Sequence, residues 1–590
     1  MPTMISPEKP RALIMCGYVR NMCAIFLLFS CSALAEDSFV DTVRPLLKTH
    51  CFKCHGLEKT KGKVNLVQFE HAHELALHDR LWQKVIDQLE SGEMPPDDEP
   101  QPGPELLQSI RSVVDSVDLS DLPVDPGHVG PHRLNRHEYV NTLRDLLGVE
   151  VDRAQLPADG GGGEGFDNTA SALFLSPLLL ERYLRVAGDV ADSIADIPDI
   201  PQFARLAYRR PLAPAEISEL ETLPPRHALI AILCSPRFLF RSIEAPDGAL
   251  SSHELASRLA YFLTTSMPDS ELRKSAEADD LRSSLSGIEA QARRLLRSPQ
   301  SARFVERFTS QWLKVNALNS TVWPERHKFP HYDEHLRDVF YQEPIAMFAH
   351  VMRENLPVTE LISADYSFVN QRLAGWYGLK GVKGKEFRKV VFTDGRRGGL
   401  LGMGGIMAIT SFPLRSSPVL RGKWVLDELL GAKLPPPPPN IESLPADDKP
   451  QGGLSIRQRL EQHRERAQCA GCHAKMDPIG FALENFDPVG SWREEIHGVP
   501  VDTAGKLPSG ETFRGPAELK KVLAARQEAF ARNIVERLLA YALGRGIEPE
   551  DTPAIRAILE KIAPQRYRLE DAVIAVVQSV PFRHQRASDD

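Results

Sequence analysis

The chain is 590 residues long, 42% hydrophobic and 25% charged, with a formal net charge of −8. One hydrophobic core does not extend over that length, so several domains are expected. The mild acidity, with no basic stripe, argues against nucleic acid as a partner.

The first 35 residues read as a signal peptide. Arg11 and Arg20 precede an apolar run over 22–34, and Ala33-Leu34-Ala35 supplies the small residues that precede a cleavage site. The run is short for a membrane span. Two other readings stay open: an uncleaved anchor, and lipid attachment at Cys31 after Leu28-Phe29-Ser30. No other stretch is apolar enough to span a bilayer, so the mature chain is expected to have no membrane span unless the leader is retained or lipidated.

Export changes how the eight cysteines are read. Cys16, Cys23 and Cys31 lie in the leader. Cys234 stands alone in an apolar helical stretch and reads as a small buried hydrophobe. The other four form Cys51-Phe52-Lys53-Cys54-His55 and Cys469-Ala470-Gly471-Cys472-His473, two C-x-x-C-H motifs. Two thiols three positions apart can each add to a haem vinyl group. The histidine directly behind them is then held under the iron as an axial ligand. Zinc would need further ligands near each motif, and a redox dithiol does not require the histidine. We read both as attachment sites for haem c, two groups in all, with His55 and His473 as iron ligands.

The first motif lies in a compact segment, 36–122. Phe39, Val43, Leu46 and Leu47 predict an amphipathic helix over 38–50 that leads into the attachment site. A basic irregular stretch, 56–63, follows. A second helix is predicted over 80–91, with Leu81, Trp82, Val85, Ile86 and Leu89 on its buried side, and a third over 104–120. Met94, in the Pro-stiffened Met94-Pro95-Pro96 loop, is the choice for the second axial ligand. A thioether opposite histidine raises the reduction potential. His71, His73 and His78 are its rivals.

The body is expected to be helical: 130–198 with a glycine-rich loop, a small unit at 201–245, and 250–385. Helices are predicted over 133–149, 176–195, 216–223, 227–234, 252–263, 288–296 and 301–315. The best strand signal is 388–392. Gly160–Gly163 is no phosphate loop, since no Gly-Lys-Ser/Thr follows. It reads as a flexible loop that could also approach a cofactor. A polyproline spacer at 435–439 leads to the second motif, in segment 395–495.

There, Asp477-Pro478 reads as a helix N-cap followed by proline at the first helical position. Met476 lies too close to His473 in sequence to reach the far side of an iron. Met403, Met407 and His463 are candidates for that position, and an open position is a further alternative. Asp477, Glu484 and Asp487 could serve acid–base chemistry or simply cap helices and bond backbone amides. The tail, 500–590, is helical, with Ile534, Leu538, Leu539 and Leu543 as a buried stripe.

Cys51 to His55, Lys61-Gly62 and Met94-Pro95-Pro96 resemble the planctomycete-type cytochrome c. The remainder resembles the uncharacterised domains commonly fused to it. The matching residues are His132-Arg133-Leu134-Asn135-Arg136, Gly165-Phe166-Asp167-Asn168, Ser416-Ser417-Pro418 with Arg421-Gly422-Lys423-Trp424, the 469–493 block, Asp502 with Gly505, and Tyr541-Ala542-Leu543-Gly544-Arg545. The resemblance implies haem binding, electron transfer and a place outside the cytoplasm, without naming a substrate.

The expected fold is mainly α: a small helical cytochrome c domain followed by a large multi-helical body. The expected function is that of an exported di-haem c-type cytochrome, periplasmic or at the cell surface, exchanging electrons with a redox protein or a small carrier. Two alternatives stay open. One is a haem-dependent oxidoreductase of the di-haem peroxidase or dehydrogenase type, with the second haem as reaction site. The other is a cell-surface interaction protein with a cytochrome module.

Overall fold

Helices are predicted wherever apolar residues recur at three- and four-residue spacing, and helices are what dominate. The computed structural model describes residues 35–586 except 91, 97, 120–121, 123, 242, 435–446, 450–453 and 465–466. The leader with Cys16, Cys23 and Cys31, and the spacer at 435–439, lie outside the described residues. Four two-stranded antiparallel ladders are all the sheet among the described residues. No helix among them is long and apolar enough to cross a membrane. The chain divides into two compact units, up to Val124 and from Asp125.

In the first unit a π-turn at Phe39–Val43 runs into α1, Arg44–His50. Phe39, Val43 and Leu47 are buried at four-residue spacing, as the sequence predicts. Two further helices are α2, Ala72–Leu77, and α3, Asp79–Glu90. Trp82 and Ile86 carry the buried side of α3. The last helix, α4, Pro104–Ser116, buries Leu106, Ile110 and Val113 and stops short of residue 120. These faces form one apolar cluster, and partly buried Cys51 packs against it.

The second unit has a smaller and a larger apolar cluster. The smaller one is built largely from α5, Arg136–Leu147, α6, Pro177–Ser193, and α7, Pro225–Cys234. Cys234 is partly buried against it. The larger cluster runs from Phe166 to Phe582. It takes in α8, Ser252–Thr264, α9, Ser301–Trp312, and α10, Glu334–Arg353. The strand signal is β2, Arg388–Val391, paired antiparallel with β1, Tyr366–Val369.

The sequence landmarks of this unit lie far apart along the chain, and hydrogen bonds gather several of them. Arg133 donates to the Tyr183 hydroxyl at 2.7 Å and to Asp159 at 2.6 Å. Asn135 caps α5 by accepting from the His137 and Glu138 amides. Asn168 Nδ2 donates to the Tyr541 carbonyl at 2.8 Å, and the Ala170 amide donates to the Gly544 carbonyl at 2.8 Å. The glycine-rich loop is used for packing. Gly163 has φ +51°, and a Cβ there would lie 3.0 Å from the Gly546 amide nitrogen. The close approach is to the chain's own backbone.

Candidate functional site

In the first unit the attachment segment is a single helical turn. The Cys54 amide donates to the Cys51 carbonyl at 3.1 Å and the His55 amide to the same carbonyl at 2.9 Å. This places Cys51 and Cys54 about one turn apart, as two thioether bonds to one ring system require. Burial, with the neighbouring Cys54 adding to it, pushes the Cys51 thiol up to about 11. The His55 carbonyl is fixed by the Leu66 amide at 2.8 Å. Its ring nitrogen Nδ1 is buried and meets no hydrogen-bond partner among the described residues, and the same is true of Trp82 Nε1. Buried polar atoms left open in this way point to a group the protein part alone does not supply.

The loop that starts at Met94 is held to this turn. His50 Nδ1 bonds the Pro100 carbonyl at 2.9 Å, and Lys53, inside the motif, pairs with Glu99. Gln101 Nε2 gathers the Pro95, Pro96 and Glu99 carbonyls. Met94 itself is 40% exposed. Its histidine rivals have structural partners. His71 bonds Glu36 at 3.0 Å, and that hydrogen bond raises its pKa. His73 stacks on His71. His78 bonds the Glu74 carbonyl and meets the Phe69 ring edge-on.

In the second unit the Cys469–His473 motif lies within the helix Ala467–Phe481. The helices leading to it are α11, Gly404–Ile409, α12, Pro418–Trp424, and α13, Ile456–Arg464, followed by α14 itself, Ala467–Phe481. Asp477 is therefore no N-cap: α14 begins well upstream and runs through Pro478. The local rule is overridden by packing, because α12 and α14 cross backbone to backbone. A Cβ at Gly422 would lie 2.0 Å from the Met476 carbonyl oxygen, and one at Gly480 would lie 1.9 Å from that of Pro418. Only glycine permits both approaches.

Cys469 is buried and Cys472 is partly buried against the larger cluster. His473 Nδ1 lies 3.0 Å from Asp477 Oδ1. Of the candidates for the far side of an iron, His463 has its ring centroid 4.9 Å from that of His473, edge to face. Met403 and Met407 are fully buried in the larger cluster, and Met476 is buried there too.

The nearby acids have structural work. Glu484 pairs with the fully buried Arg421 at 2.9 Å, with Arg493 at 3.2 Å, and accepts from Ser416 at 2.6 Å. Arg421 also donates to the Leu483, Phe486 and Asp487 carbonyls, and burial lowers its pKa to about 10. Asp487 accepts from the Val489 and Ser491 amides, closing the turn that follows. Ion pairing and bonds to backbone amides therefore account for Glu484 and Asp487. Sequence reasoning missed one buried group, Glu343. It accepts from Ser367 at 2.7 Å and Tyr377 at 2.6 Å, and burial raises its pKa to about 7. Nothing in its local pattern marks it. The His473–Asp477 contact had a usable signal, the i, i+4 spacing on a helix.

Residues 51–98 match the family described as Planctomycete cytochrome C. Four families described as proteins of unknown function match the body: DUF1587 over 132–196, DUF1592 over 250–379, DUF1588 over 397–496 and DUF1585 over 509–582. The second C-x-x-C-H motif falls within the DUF1588 match. No curated protein and no solved structure matches the chain.

Proposed function

Starting from a chain of the planctomycete-type multi-domain arrangement, a cytochrome c domain followed by four companion domains, we propose that it is an exported di-haem c-type cytochrome acting in electron transfer. The observation that carries this is in the first unit. The Met94 loop is tied to the attachment turn through His50 and Lys53, while the half-buried His55 keeps a buried Nδ1 without a hydrogen-bond partner among the described residues. Cys51 and Cys54 would hold the haem through thioether bonds to its vinyl groups, and His55 and Met94 would ligate its iron. Bound there, the haem supplies a one-electron iron couple, which a thioether ligand tunes upward.

Cys469, Cys472 and His473 hold a second haem in the same manner on α14. The partner is a redox protein or a small electron carrier. The apolar run over 22–34 behind Arg11 and Arg20 supports export. The site of action is the periplasm or the cell surface.

The experiment is expression of the full chain alongside c-type maturation machinery. The purified protein is reduced with dithionite, separated from it, and mixed with soluble oxidised dyes of graded potential. Full reoxidation within seconds, read from the haem absorption bands, is expected. A protein whose haem bands do not respond to any dye would overturn the electron-transfer reading.

A further inference from the structure

Asp477 has no exposed surface. A carboxylate that deep costs several kcal/mol unless it is paired and hydrogen-bonded. Its pairing is sparse. Oδ1 meets His473 Nδ1 at 3.0 Å, Arg464 Nε stands 3.8 Å from Oδ2, and Oδ2 accepts no hydrogen bond among the described residues. The jobs that occupy its acidic neighbours are closed to it. It caps no helix, since α14 runs through it. It closes no turn as Asp487 does, and it is not held by several donors as Glu484 is. What remains is its grip on His473, one helical turn upstream on an unbroken helix. That grip puts the ring proton on Nδ1 and leaves Nε2 as the nitrogen with a free lone pair.

We propose that Asp477 is a positioning residue for the second centre. It fixes the His473 tautomer, presents Nε2 to iron, and makes that nitrogen a more electron-donating ligand. A more donating ligand favours the oxidised metal, so the second iron is the lower-potential one of the two. Among the described residues no carboxylate meets His55 Nδ1, and Met94 pulls the potential the other way. The two motifs are alike in sequence and unlike in tuning.

This rests on the reading of His473 as an axial ligand, so the haems are counted first, by the pyridine haemochrome assay on the full-length holoprotein. One haem per chain overturns that reading and this proposal together. With two haems, spectroelectrochemical titration resolves two midpoint potentials. Asp477→Asn keeps an acceptor for the Nδ1 proton but removes the charge. The lower midpoint moves up and the upper one stays. An unmoved lower midpoint overturns the proposal while leaving the di-haem reading intact. Should that variant fail to fold, Arg464→Gln removes the cation beside Oδ2. The lower midpoint then moves further down, and a lower midpoint that does not move is again contrary to the proposal.

Discussion

Replacing Gly480 with alanine inserts a methyl group where α14 crosses α12. The new Cβ would lie 1.9 Å from the Pro418 carbonyl oxygen, 2.4 Å from its carbon and 2.5 Å from its Cα. Ordinary contact begins at 3.4 Å, so the helices must part by about 1.5 Å. The obstacle is backbone and has no rotamer to escape into. Overpacking typically costs ~1–3 kcal/mol. Parting the helices here also loosens the reciprocal contact at Gly422, so the cost belongs at the upper end, about 3 kcal/mol. Alanine returns up to ~1 kcal/mol through helix propensity, leaving a net loss of about 2 kcal/mol. Gly188 in α6 is the matched control, because a Cβ there meets nothing within 4 Å. Gly188→Ala is expected to gain ~0.5–1 kcal/mol. Guanidinium unfolding, followed by tryptophan fluorescence and far-ultraviolet circular dichroism, reads both. A Gly480→Ala protein as stable as the parent would refute the crossing geometry.

Three further outcomes follow from the same packing and ligand arguments. Glu343 has its pKa raised by burial to about 7, so the folded state holds a proton that the unfolded state gives up near the ordinary 4.5. Its contribution to stability is therefore full below about 4.5 and lost as pH rises to about 7, a swing of about 3 kcal/mol. Glu343→Gln should flatten that slope in denaturant melts taken across this range, and an unchanged slope would show that the carboxyl does not titrate there. Arg421→Met strips the donor from three backbone carbonyls and from Glu484, and should cost about 3–5 kcal/mol in the same unfolding assay. Met94→Ala should open an iron position: the reduced protein gains carbon monoxide binding at the first haem and its midpoint potential falls. A carbon monoxide difference spectrum identical to the parent's would remove Met94 from the ligand set.

The residue spacing made much of the helical framework readable. Phe39, Val43 and Leu47 follow a four-residue step, and Ser252–Thr264 emerges almost where the pattern places it. Such elements bury one stripe, and the stripe is written locally. The misreading at Asp477-Pro478 has the opposite cause. The dipeptide obeys the local rule for a helix start, yet Met476, Ile479 and Phe481 are buried and Gly480 lies against Pro418. Tertiary packing carries the helix through a proline that local propensity would use as a boundary. The glycines at 422 and 480 look ordinary in sequence, because the backbone each one meets, at Met476 and Pro418, is more than 50 residues away.

The residues proposed to attach haem stand out in sequence as C-x-x-C-H, since thiol addition and iron ligation need groups adjacent in the chain. The contacts that surround each motif do not. The ties from His50 and Lys53 to the Met94 loop span 50 and 46 residues, and no local pattern announces them. Glu484 and Asp487 drew notice as acids near a motif. Only their partners, Arg421 and two backbone amides, show that they hold structure together.

The central claim is that this chain carries two covalent haems. Intact-mass spectrometry of the denatured protein, after expression with c-type maturation machinery, tests it most directly. The account predicts a mass increase of two haem groups, falling to one when Cys469 and Cys472 are both changed to alanine and likewise when Cys51 and Cys54 are. An increase of a single haem that persists in the Cys469→Ala, Cys472→Ala protein would contradict it.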